Sequence, residues 1–256
     1  MTKRFVLLTL LLLCAALLPL LAEAETRGEC GPALDWTLSD DGVLTITGRG
    51  TMDSYAFTYN GDIKQVVIQE GVTVIGDYTF HACNNLTSVS LPESLTSIGQ
   101  QAFGYCGKLV DISIPEGVTW LGTEAFYDCE SLESISIPGG VTEIRANTFY
   151  RCKHLTSVTI SEGVTTIDVG AFDECGRLPD IVLPKSLTHL NMSAFSDCAS
   201  LESVTIQNAD TIIGYWVFSG CPNELVIYCP TGSRAQSYAQ ENGIKYAPLN
   251  KSPQLQ

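Results

Sequence analysis

Apolar positions along most of this chain recur every 23 residues, with no insertion or deletion between repeats. In the unit running from Cys83 to Cys106, Leu86, Val89 and Leu91 are apolar, while Ser88 and Ser90 are small and polar. This alternation predicts a short strand with every second side chain inward. Pro92 ends that strand, as Pro115, Pro138, Pro184 and Pro230 end its counterparts, because proline cannot donate to a ladder. A second short extended segment follows at Leu95–Ile98, with counterparts at 118–121, 141–144, 164–167 and 187–190. Thr fills its second place at Thr73, Thr96, Thr119, Thr142, Thr165, Thr188 and Thr211, a β-branched column suited to stacked strands. The frame A-F-x-x-C-x-x-L, as at 102–109, closes each unit and reads as one helical or 3₁₀ turn.

Two columns identify the core. Phe stands at Phe57, Phe80, Phe103, Phe126, Phe149, Phe172, Phe195 and Phe218, and Cys three residues later at Cys83, Cys106, Cys129, Cys152, Cys175, Cys198 and Cys221, with Asn60 in the first repeat. A fixed period of this length predicts a solenoid in which each rung buries too little alone and gains stability by stacking on its neighbours. Residues 57–230 then form an array of about eight rungs.

The flanks break the pattern. Residues 25–56 contain Leu34–Leu38 and Val43–Thr47 around Asp41-Gly42, a β-hairpin signal; its expected role is to cover the first rung as an N-terminal β cap. Residues 231–256 contain Ser233–Asn242, expected as a capping helix with Ser233 as N-cap, Tyr238 and Ala239 facing the array, and Gly243 as the stop. Ile244 and Tyr246 are expected to pack back, and 251–256 to form a loose tail. Short strands, helical turns and a terminal helix together make the expected fold class α/β.

Residues 1–24 carry a basic start at Lys3 and Arg4, an apolar run from Phe5 to Leu21 and the small-x-small site Ala22-Glu23-Ala24. This reads as a secretory signal peptide; no second apolar run follows, so no membrane span is expected after cleavage. Cys14 follows Leu13 rather than a small residue, which argues against lipid attachment there. Removing this segment lowers the cation count from 14 to 12 and the acid count from 28 to 27, moving the net charge from −14 to −15. Such a surface repels phosphate chains, so nucleic acid is not an expected partner. In an exported chain nine remaining cysteines suggest disulfides, but seven share one inward register position, where parallel side chains aim poorly at one another. They are read as buried thiols filling space beside Phe. Cys30 lies outside the array, and Cys221–Cys229 is the one pairing worth testing.

Catalytic motifs are not found. His81, His154 and His189 fall in different columns and well-separated rungs, and all three read as surface histidines; no phosphate loop, nucleophile elbow or zinc motif is present. Glu70, Glu93, Glu116 and Glu162 share one turn position, about 5 Å apart by rung. A calcium ladder or a glycosidase pair is conceivable there, against the simpler expectation of acids fanning into solvent. No cofactor or metal is expected. The outward strand face is the stronger candidate for binding: Ser88, Ser90, Asp111, Ser113, Ser134, Ser136, Ser157, Thr159, Asp180, Ser203 and Thr205, with Val182 among them. It lacks the aromatic anchors of binding hot spots; Tyr105, Trp120, Tyr127, Tyr150, Tyr215 and Trp216 sit nearer the turns, where rung packing accounts for most of them.

The frame L-x-S-V-x-[LI]-P-x-x-[VL]-T-x-I-G-x-x-A-F-x-x-C resembles the 23-residue leucine-rich repeat of BspA-like proteins, and Trp36-Thr37-Leu38 with Gly42-x-Leu44-Thr45-Ile46-x-Gly48 resembles the unit often preceding such arrays. The resemblance implies a leucine-rich-repeat solenoid on an exported or surface protein, non-enzymatic, binding an extracellular protein or glycan. The alternative is a structural spacer without a specific ligand. No wall-anchoring module is expected after the array.

Overall fold

The computed structural model describes residues 25–255; the signal-peptide reading and Cys14 fall outside these residues. The described chain is a β-solenoid of about nine turns. Strands β1 (Thr26–Gly31), β2 (Leu34–Leu38) and β3 (Val43–Gly48) form an antiparallel meander. From β3 onward the chain alternates between two parallel stacks. The first takes β5 (Gln65–Ile68), β7 (Ser88–Ser90), β9 (Asp111–Ile112), β11 (Ser134–Ile137), β13 (Ser157–Ile160), β15 (Asp180–Leu183), β17 (Ser203–Ile206) and β19 (Val226–Cys229). The second takes β4 (Gly50–Thr51), β6 (Val72–Ile75), β8 (Ser97–Ile98), β10 (Trp120–Leu121), β12 (Glu143–Ile144), β14 (Thr166–Ile167), β16 (His189–Leu190) and β18 (Ile212–Ile213). Register advances by one period per rung, as in Ser88↔Asp111 and Thr166↔His189. Thr side chains reinforce the second stack: Thr96, Thr165 and Thr188 each donate to the Thr carbonyl one rung back at 3.0 Å.

Among the described residues there is one α-helix, α1 (Arg234–Glu241), so the α/β label gives way to β-solenoid. Ser233 accepts from the Gln236 N–H at 3.2 Å, and Gly243 has a φ of +68°. The chain then returns as β20 (Lys245–Pro248), parallel to β19, an extra strand for which the repeat pattern gives no signal.

The core is the stack of expected columns. Adjacent Phe rings lie nearly parallel with centroids 5.1–6.0 Å apart, offset-stacking distances. Trp36 meets Phe57 edge-on at one end and Tyr238 meets Phe218 edge-on at the other. All nine described cysteines are free thiols, including Cys221 and Cys229. Each thiol of the column donates to the carbonyl of the Phe one rung back, at 3.1–3.4 Å. Cysteine therefore fills space and also satisfies a buried carbonyl.

The A-F-x-x-C segment is neither helical nor 3₁₀. It is a pair of linked turns, with N–H to C=O bonds such as Gly104 to Gln101 (3.0 Å) and Cys106 to Phe103 (3.2 Å). The residues two before and two after each Phe have positive φ. Fourteen of these are not glycine, among them Tyr105, Glu124, Arg151 and Trp216; Gly170 and Gly220 fill the remaining two places. Alternating right- and left-handed backbone turns every second N–H toward the next rung. The donors two before, at and two after Phe reach carbonyls of the following turn at 2.7–3.1 Å, as in Tyr78 to Gln100, Phe80 to Ala102 and Ala82 to Gly104. Left-handed backbone costs a non-glycine residue roughly 1–2 kcal/mol, which three cross-rung bonds per interface offset.

Candidate binding face

The strand face rests on a rigid base, because inward residues such as Val89, Ile112, Ile135 and Ile181 are buried and fix the outward aim of their neighbours. Ser90, Asp111, Ser113, Ser134, Ser136, Ser157, Thr159 and Asp180 are exposed and Ser88 is half-buried, so these nine share one polar face. Ser203 and Thr205 do not join it: their exposures are 8% and 0%. The tail covers them. Thr205 Oγ1 and Ser252 Oγ are 2.7 Å apart, Gln254 Nε2 donates to Ser203 Oγ at 2.7 Å, and Ser252 is fully buried. Residues 249–255 are thus a docked segment built of two short 3₁₀ turns rather than a loose tail. Beside the docked segment, Thr159, Asp180, Val182 and Gln207 help line a hollow of about 320 Å³. At the N-terminal end of the face, Asp41, Gln65, Lys64 and Lys108 help line another of about 460 Å³. Composition gave no sign of either.

The carboxylate column is structural where it is engaged. Glu70 accepts the N–H groups of Glu93 (2.8 Å) and Ser94 (3.2 Å) with its two oxygens, and Glu162 accepts those of Lys185 and Ser186, both at 3.0 Å. These two acids therefore staple one rung to the next instead of fanning outward. The Lys185 N–H bond is the main cause that lowers the Glu162 pKa. No group of three or more metal-ligating side chains occurs among the described residues.

The three histidines remain apart, but His81 is not a surface residue. It is 9% exposed, with its ring 5.2–5.6 Å from those of Tyr59, Tyr78 and Tyr105. Gly104 of the next rung makes room, since a Cβ there would stand 3.2 Å from His81 Nδ1. Burial lowers its pKa. The rings continue from Tyr105 through Tyr127 to Tyr150, whose hydroxyl donates to Glu174 at 2.7 Å. Arg151 sits 3.5 Å from both Asp128 and Glu174. Trp120 carries Arg145 over its ring at 3.9 Å. Tyr127, Tyr150 and Trp120 thus have packing partners, whereas Tyr215 and Trp216 are 80% and 66% exposed.

Asp173, one rung beyond Tyr150, is half-buried with Oδ1 unpartnered. Burial first, then Asp197 and Glu174, push its pKa up to about 6. A carboxyl raised in the folded state contributes most stability when protonated, and that contribution is lost as pH rises through about 6. Asp173→Asn is expected to melt above the wild type at pH 7.5, with the gap closing toward pH 4 as Asp173 takes up its proton; paired thermal melts across this range check it.

The chain matches the BspA type leucine rich repeat region in six copies, over residues 50–175 and 142–242, and it belongs to that family. Among solved structures, a leucine rich cell surface protein from Faecalibacterium prausnitzii A2-165 is 25% identical, with 79% of this chain and 76% of that chain covered and a TM-score of 0.47. A leucine-rich repeat protein from Bacteroides ovatus ATCC 8483 is 23% identical, covering 80% and 69% at a TM-score of 0.44. The T. pallidum leucine rich repeat protein is 24% identical, covering 59% and 91% at 0.39. No curated protein gives a significant match. No helix among the described residues is long and apolar enough to cross a membrane.

Proposed function

We propose that the chain is an exported, surface-associated, non-catalytic module that binds an extracellular protein or glycan through its strand face. Export follows from the reading of residues 1–24 as a signal peptide, with the meander of β1–β3 and the α1 region closing the ends of the array. The observation that carries the binding site is the exposed polar column from Ser88 to Asp180, held on the stacked strands β7 to β15 one rung apart. Extended solenoid surfaces of this kind present many weak contacts at fixed spacing. Its side chains are hydroxyls and two carboxylates, which suit hydrogen-bonding partners.

Immobilised matrix proteins and glycan arrays provide the test. The double substitution Asp111→Lys and Asp180→Lys, at two exposed positions, is expected to weaken retention at least about tenfold by reversing the charge of the face. Retention that survives it moves binding off the strand face. Wild-type protein that is retained by none of these surfaces overturns this reading and favours a spacer.

A further inference from the structure

The turn ladder has a direction. Because the alternating backbone points its donors the same way, N–H groups face the C-terminal end of the array and carbonyls the N-terminal end. Every inner rung satisfies the donors of the rung before. At the last full turn the donor places belong to Trp216, Phe218 and Gly220, and no carbonyl among the described residues accepts from them. The Tyr238 ring stands edge-on to Phe218, and the Trp216 and Gly220 N–H groups lie on either side of that contact. Beyond them lies a recess of about 480 Å³ lined by Trp216, Phe218, Gly220, Asn223, Tyr238 and Asn242 among others. In a chain of net charge −14 this lining holds no carboxylate and no cation. It offers N–H donors, the Asn223 and Asn242 amides, the Ser219 and Tyr238 hydroxyls, the Cys221 thiol and aromatic surface.

We propose that this recess receives an extended segment of a partner polypeptide, whose backbone carbonyls accept from Trp216 and Gly220 while an apolar side chain lies against Trp216 and Phe218. The segment continues the same ladder that joins the rungs, and an extended chain turns a carbonyl to one side at every second residue. A free anion suits the site less well, because the open donors stand four residues apart on either side of Phe218 and the chain's net charge of −14 opposes it. A second copy of this chain also fits poorly. Its unpaired carbonyls at Ser54, Ala56 and Thr58 belong to the first turn, and β1 and β2 extend the strand stack past that turn just as β19 and β20 extend it past the recess. Docking end to end would bring those extensions together. This site stands apart from the strand face.

The test uses the full mature chain and a neutral peptide of residues 99–107, with Cys106 replaced by serine, because that segment supplies the carbonyls of Gln100, Ala102 and Gly104 to the rung before it. Amide NMR at up to about 1 mM peptide is expected to show saturable shifts of the Trp216 and Gly220 N–H groups. Asn242→Trp, at an exposed position on the recess, is expected to weaken binding about tenfold by filling the recess, while the loss of the Asn242 amide bond to the Tyr238 carbonyl lowers stability by only the worth of one net hydrogen bond. The Asp111→Lys and Asp180→Lys protein is expected to bind the peptide as the wild type does. Absence of saturable shifts at Trp216 and Gly220, equal shifts with sodium acetate alone, or unchanged binding by the Asn242→Trp protein would overturn the proposal.

Discussion

Phe126→Ala is expected to destabilise the protein by about 3–5 kcal/mol, the range for emptying a large buried aromatic site. The upper part of that range is the expected one. Phe126 is fully buried and its ring stacks on both Phe103 and Phe149 at 5.4 Å, with interplanar angles of 6° and 3°, so truncation opens a gap and removes two aromatic pairs together. Neighbouring rungs cannot collapse into the gap, since three backbone bonds on each side hold the turns at fixed spacing. Because a solenoid is stabilised by nearest-neighbour interfaces, a break at this central rung is also expected to broaden the denaturation transition as the two halves uncouple. Tyr215→Ala, at a ring 80% exposed, is the control and should stay within about 0.5 kcal/mol of the wild type in the same chemical denaturation experiment.

A substitution that adds one carbon should also destabilise. Gly122→Ala would put its Cβ against the backbone of Gly99 and Gln100, closer than a Cβ can stand, and the expected cost is about 1–3 kcal/mol from overpacking. Gly107→Ala, with nothing within 4 Å of the added carbon, should be neutral or slightly stabilising through the unfolded state, by less than about 1 kcal/mol. The pair separates contact from backbone entropy. The column also changes along the array. Gly76, Gly99 and Gly122 accompany β6, β8 and β10, whereas Arg145, Asp168 and Asn191 hold the same place beside β12, β14 and β16, and glycine returns at Gly214 beside β18. The second stack divides between β10 and β12, where glycine gives way to side chains.

Columns were legible in the sequence because every rung repeats them. The Phe, Cys and Thr ladders and the inward apolar residues follow directly from periodicity, and the helix after Ser233 follows from its capping residues. Turn conformation was not legible, because its usual markers are glycine and asparagine, and here Tyr, Gln, Glu, Arg and Trp occupy left-handed positions that cross-rung bonds hold in place. The outward face was legible only where periodicity governs it. Ser203 and Thr205 match Ser157 and Thr159 residue for residue, and nothing local reveals that Ser252 and Gln254, some fifty positions on, cover one pair and not the other. His81 was misread for a similar reason, since its burial depends on Gly104 in the next rung.

The thiol column makes the folded protein chemically quiet. Burial pushes Cys83 up to about 12 and raises Cys106, Cys129 and Cys152 well above the ordinary range, so these sulfurs hold almost no thiolate and cannot take part in exchange. Modification of any one of them must wait until its own rung opens. Cys221, the one thiol of the column that is only half-buried, is set to react first, at the C-terminal end. Rates of alkylation read along the seven cysteines thereby become a record, rung by rung, of where the array frays and where it stays closed.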